Sequence, residues 1–121
     1  MVEKLNDLRV YRSAIELSDR AWTIYSTLPK EYRFHMGTQF LRSIDSIGAN
    51  IAEGFGRFHY KDKIKFYYNA HGSLWESKHW IYLFYKRELL DQKTFDEFMK
   101  KIQKTGKLLN NFIKATGERN G

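Results

Sequence analysis

The chain has no cysteine, only one proline and no long apolar run. Without cysteine there is no disulfide, no thiolate metal site and no cysteine nucleophile, a composition that suits a reducing cytoplasm. No stretch reaches the roughly 18 consecutive apolar residues that a membrane-spanning helix needs, so no membrane span is expected. The opening MVEKLNDLRVYRSA lacks the apolar segment of a secretory signal. Strand signals, low-complexity tracts and solenoid repeats are missing as well.

What remains is a helical chain rich in rings and in positive charge. Its 121 residues are the size of one domain, and 42% hydrophobic with 17% aromatic content is enough to build a real core. Lys and Arg number 21 against 14 Asp and Glu, a net charge of +7. Such a surplus attracts polyanions through long-range electrostatics.

Apolar spacing divides the chain into four helices. Leu8, Tyr11, Ala14, Leu17, Ala21, Ile24 and Leu28 recur at three- and four-residue steps, predicting a first helix over 6–27 that Pro29 ends. Phe40, Ile44, Ile47, Ile51 and Phe55 define a second over 35–55, stopped by Gly54 and Gly56. A third, over 60–87, carries two semi-apolar lines. One runs Ile64, Tyr67, His71, Leu74, Lys78, Ile81, Tyr85; the other runs Phe66, Ala70, Ser73, Ser77, Trp80, Phe84. Two lines imply contacts on more than one side, hence a central helix, with His59 as an imperfect N-cap. Phe95, Phe98, Ile102, Leu109 and Phe112 form the seam of a fourth over 94–114, followed by a polar tail at 116–121. Short linkers make sequential helices antiparallel neighbours. The expected fold is all-α, a single antiparallel up-down-up-down four-helix bundle.

Few residues in this pattern carry chemistry. SIGANIAEGFGR (Ser46 to Arg57) contains G-x-G, but it lacks the third glycine of a dinucleotide loop and follows a helix where that loop needs a strand. Glu76 and His79 make one E-x-x-H, whereas a di-iron bundle uses two with two further glutamates, so no metal or cofactor is expected. Glu53, Glu76, Ser46, Ser73 and His71 show no spacing that orders a nucleophile, a base and an orienting group. The chain is expected not to be an enzyme.

Two patterns stand out. On the fourth helix Lys93, Lys100, Lys104, Lys107 and Lys114 fall within about a quarter of the circumference, a stripe able to track phosphates or simply to face water. Arg57, Lys61 and Lys65 add a second basic group at the turn before the third helix, with Phe58, Tyr60, Tyr67 and Tyr68 interleaved for base stacking. On the second and third helices, Arg42, Asn50, Glu53, Ser73 and Glu76 are candidates for a polar interhelical lock. In it Arg42 would pair with Glu76 or Arg57 with Glu53, and Asn50 would bridge.

QFLRSIDSIGANIAEGFGR (Gln39 to Arg57) is similar to the Q-L-R-x-A-x-S-I-x-x-N-I-A-E-G-x-G-R segment of a bacterial four-helix-bundle family, the 23S rRNA intervening-sequence proteins or S23 family. FYYNAHGSLWESKHWI (Phe66 to Ile81) resembles its second segment, A-x-G-S-L-x-E, and DLRVYRSAIELSDRAWTIY (Asp7 to Tyr25) its first helix. Gly48 stands where proline is usual there, and Asp45 where an apolar or small residue is common. The resemblance implies an antiparallel bundle and self-association, homopentameric in some members. In a related branch, the accessory determinants of diversity-generating retroelements, it implies nucleic-acid binding through basic surfaces and contact with a reverse transcriptase. The expected function is therefore a cytoplasmic, homo-oligomeric RNA- or DNA-binding accessory or chaperone-like factor; the alternative is a protein-interaction scaffold whose charge is incidental.

Overall fold

The computed structural model describes residues 4–120, and among them there are four long helices and no strand. They are α1 (Arg9–Thr27), α2 (Thr38–Gly56), α3 (Tyr60–Lys86) and α4 (Gln92–Asn120). A short 3₁₀ turn, Leu5–Asp7, precedes α1. Residues 1–3 of the N-terminal stretch and Gly121 of the expected tail lie outside the described residues.

α1 forms because Val10, Ala14, Leu17, Ala21 and Ile24 make one buried face. It stops at Leu28, whose extended backbone is what a residue before proline adopts. The chain does not then wait until His35 to resume helix. One turn, Lys30–Tyr32, starts directly after Pro29, and a wider π turn, Arg33–Gly37, runs on into α2. Proline both ends one helix and begins the next, because its missing N–H falls where a helix start leaves donors unused. Arg33 holds the corner: its Nε donates to the Leu28 carbonyl at 2.9 Å and its Nη2 to that of Ser26 at 3.0 Å. Thr38 Oγ1 donates to the Arg33 carbonyl at 2.8 Å, and the π turn buries both Met36 and Gly37.

α2 runs to Gly56, and neither Gly54 nor Gly56 takes a positive φ. The helix ends at Gly56 as its glycines suggest, but the chain leaves it through the extended backbone of Arg57 and not through a left-handed glycine. Gly54 is needed for proximity: a Cβ there would lie 2.5 Å from Cε1 of Tyr67 and 3.0 Å from the Lys63 carbonyl. Lys63 also caps α2, its Nζ donating to the Phe55 carbonyl at 2.9 Å. His59 occupies the N-cap of α3 with extended backbone but makes no capping hydrogen bond.

The α3–α4 turn has the left-handed residue that the α2 end lacks. Glu88 sits at φ 61°, with its N–H on the Tyr85 carbonyl at 3.0 Å and the Leu89 N–H on the Phe84 carbonyl at 2.8 Å. This pair of bonds is a Schellman motif, with glutamate where glycine is usual. Asp91 then caps α4, accepting the Thr94 N–H at 2.8 Å. Hydrogen bonding to Thr94, aided by the charges of Lys93 and Arg20, holds the Asp91 carboxyl below its ordinary value.

Each helix packs on its sequence neighbour, and α1 also packs on α4. Contacts climb one helix as they descend the next: Phe40 meets Phe84 and Gly54 meets Tyr67 across α2 and α3, while Tyr67 meets Phe112 and Tyr85 meets Phe95 across α3 and α4. The core centres on Phe40, whose ring lies 5.1 Å from that of Phe84 and 5.6 Å from that of Phe98. α4 outruns its expected end at 114, so 116–120 are helical and not a tail. Antiparallel pairing explains this, since the last turns of α4 lie beside the first turn of α3, where a Cβ at Gly117 would be 3.4 Å from the Tyr60 hydroxyl.

Gly54→Ala is expected to destabilise the fold by about 1–3 kcal/mol through overpacking. Glu88→Gly should stabilise it by about 0.5–1 kcal/mol by relieving the left-handed glutamate. Urea denaturation reads both, and a neutral Gly54→Ala would show that α2 and α3 have room to spare there.

Candidate functional site

The charged lock expected of Arg42, Glu53 and Glu76 with Asn50 does not join the helices; hydroxyl pairs join them instead, and of the expected set only Ser73 takes part. Ser46 on α2 and Ser73 on α3 have their Oγ atoms 2.5 Å apart. One turn away the Ser77 hydroxyl donates to Ser43 Oγ at 3.0 Å, and Ser43 donates to the Phe40 carbonyl at 2.8 Å. Ser43 and Ser77 are buried. Serines suit this seam because a small side chain permits close backbone approach while its oxygen finds a partner. A third pair, Ser13 with Thr105 at 2.7 Å, joins α1 to α4 and is also buried.

The charged members of the lock lie outside that seam. Arg42, Glu53 and Glu76 are exposed, and no Arg42–Glu76 ion pair forms. Glu76 accepts a hydrogen bond from Trp80 Nε1 at 3.1 Å on its own helix. Glu53 does pair with Arg57 at 2.5 Å, but one turn along α2's own end, not across helices. Asn50 Nδ2 donates to the Ser46 carbonyl at 2.8 Å, again within α2. Removing charges from water costs more than a hydroxyl pair does, so the contact selects serine and leaves the ions at its rim.

The eight candidate nucleic-acid residues, Arg57, Lys61, Lys65, Lys93, Lys100, Lys104, Lys107 and Lys114, are all exposed. Among the described residues the only ion pairs are Arg57–Glu53 and Arg20–Glu97, so the seven lysines of the set form none, although the charge of Lys93 acts on Asp91. Arg57 is the least available, since it is paired and lies 4.8 Å from the Phe66 ring centroid. The stripe on α4 straddles a crest. Lys104 borders a hollow with Arg9 and Arg12 of α1, whereas Lys107 borders a trough shared with His71, Trp75 and Lys78 of α3. The interleaved aromatics separate likewise: Tyr67 is buried, while Phe58 and Tyr68 are exposed.

A further set of exposed side chains escaped the periodicity, because neither apolar line of the third helix included it. Tyr68, Trp75 and Tyr82 lie on the outer side of α3. Their common seven-residue spacing was the available signal. Among the described residues no three histidine, aspartate or glutamate side chains gather as a metal site would need.

A family model described as 23S rRNA-intervening sequence protein matches residues 6–111. Among solved structures, a protein of unknown function from the S23 ribosomal protein family of Bacteroides thetaiotaomicron shares 29% identity with this chain. That likeness covers 87% of this chain and 95% of the other, with a TM-score of 0.81. No curated protein matches.

Ser77→Leu is expected to cost about 1–3 kcal/mol by forcing α2 and α3 apart. Arg42→Ala should stay within about 0.5 kcal/mol, as surface changes do. Comparable losses in thermal melts would return the lock to the charges. Burial pushes the Tyr67 phenol up to about 12 from 10.0. Because the folded value lies above the unfolded one, the stability linked to this neutral phenol is complete below pH 10.0 and disappears as pH rises through about 12. An alkaline absorbance titration should show a late component that Tyr67→Phe removes.

Proposed function

The chain belongs to the 23S rRNA-intervening sequence protein family, and we propose that this bundle binds RNA or DNA through its basic outer faces. In this reading it is a cytoplasmic, non-enzymatic, homo-oligomeric factor with an accessory or chaperone-like role. One observation carries it: seven lysines of the candidate set stand exposed outside any ion pair on a chain of net charge +7. Lysines placed for solubility alone are commonly interspersed with acids; from Lys100 to Lys114, by contrast, α4 carries four lysines of the stripe and no acidic residue. Each one that meets a phosphate releases a condensed counterion, so affinity is gained with little regard to sequence. No helix among the described residues is long and apolar enough to cross a membrane.

Protein contacts form the second reading, favoured by exposed apolar side chains away from the lysines, Ile15 and Trp22 on α1 and Phe34 in the π turn. Self-association, as in the homopentamers that the family resemblance implies, would cover such groups, as would a protein partner such as a reverse transcriptase.

In a salt titration with a structured RNA, log affinity is expected to fall linearly with log salt, and absence of binding at about 50 mM salt rejects the proposal. Replacing Lys100, Lys104 and Lys107 together by glutamine should lower the slope by up to about 2.7 on a duplex region. An unchanged slope in a folded triple variant would move the contact surface off α4.

A further inference from the structure

The lysines leave the aromatic line on α3 without a role. Tyr68, Trp75 and Tyr82 keep 61%, 59% and 51% of their surface open. Seven residues are nearly two helical turns, so the three project from one side of α3 about 10.5 Å apart. Lys61, Lys65, His71, His79 and Lys86 fall within about 60° of that line at 100° per residue. The carboxylates of α3, Asp62 and Glu76, lie about 120° and 80° away from it.

At mid-line a trough of about 360 Å³ opens between α3 and α4. Trp75, Lys78, Gln103, Lys107, Asn110 and Asn111 line it, and no acidic residue does. Its floor is apolar, since a Cβ at Gly106 would rest 3.5 Å from the Leu74 side chain. Lys78 Nζ lies over the Trp75 ring, 3.9 Å from its centroid, so the cation covers one face of the indole and a base would stack on the other.

We propose that this trough seats an unpaired base of a single-stranded nucleic acid. Trp75 supplies the stacking surface, the amides of Gln103, Asn110 and Asn111 face the base edge, and Lys78 and Lys107 take the flanking phosphates. Tyr68 and Tyr82 carry bases to either side. Each component matches what single strands offer and duplexes hide: every base has a face to stack, but only an unpaired one can present it. The charge pattern favours a polyanion as the occupant, because Lys78 and Lys107 line the trough and no carboxylate does. The inference rests on the nucleic-acid reading above and narrows it to a strand class and a place.

The test uses fluorescence anisotropy with three labelled probes of one sequence and length: single-stranded RNA, single-stranded DNA and the duplex. The wild type should bind both single strands at least about tenfold more tightly than the duplex at equal salt. Trp75→Ala should weaken single-strand binding about five- to a hundredfold, the range for losing one stacked base, and leave duplex binding unchanged. Trp75→Phe should restore most of the loss, and Lys107→Gln should reduce the single-strand salt slope by about 0.7. Equal effects of Trp75→Ala on all probes, or no single-strand preference, overturns the site while salt-dependent binding keeps the broader proposal. No binding to any probe overturns both. A drop in oligomeric mass by sedimentation on Trp75→Ala would instead make the trough a subunit contact and also overturn the site.

Discussion

The close approach of α2 to α3 is the constraint on which the other contacts depend. At one end Gly54 lies against the Tyr67 ring with no space for a methyl group. Through the middle Ser46 meets Ser73 and Ser43 meets Ser77, so no large side chain separates the backbones. The opposite end widens to admit Phe40 and Phe84, and Phe98 of α4 closes over Phe40. Tyr67, fixed by Gly54 on one side, becomes the surface on which Phe112 rests, with ring centroids 4.8 Å apart. The hydrogen bonds of this seam are modest singly, about 0.5–1.5 kcal/mol each. Their importance lies in the register they set, since a slip along either helix would bring a hydroxyl against hydrocarbon.

That pairing also explains why α3 has so much outward chemistry. It meets α2 on one side and α4 on another, which uses Tyr67, Ala70, Leu74, Ser77, Ile81 and Phe84. The third side is left to Tyr68, Trp75 and Tyr82 among lysines and histidines. α4, gripped by α1 and α3, turns its lysines outward on the remaining arc. The bundle thus places an aromatic track and a cationic crest next to each other, with the trough between.

Much of the fold was legible because burial of a helix face imposes a period that residues must obey. Phe40, Ile44, Ile47 and Ile51 are buried as their spacing requires, and the family resemblance agrees with the match over 6–111. The glycines of SIGANIAEGFGR were harder to read. Their position after an apolar run suggests a helix end, while Gly54 in fact answers to a ring on the following helix. Serine posed a related difficulty: the second line of the third helix placed Ser73 and Ser77 on a contact face, but periodicity does not name the hydroxyl on α2 that each one meets. Of the candidate site, exposure of the lysines could be anticipated from charge alone, but the division of Lys104 from Lys107 between two hollows could not.

Sequence alone determined the all-α class, the four apolar faces, the corner at Pro29 and the excess of cations, because each follows from spacing along one helix or from a sum over the chain. Tertiary structure decided which residues meet: that the interhelical lock is serine and not arginine with glutamate, that Gly54 makes room for Tyr67, and that Lys78 and Lys107 flank Trp75. Those facts depend on the register and separation of helices distant in sequence. The physical reason is that periodicity records whether a side chain is buried, while its partner is chosen by the packing of whole faces against one another.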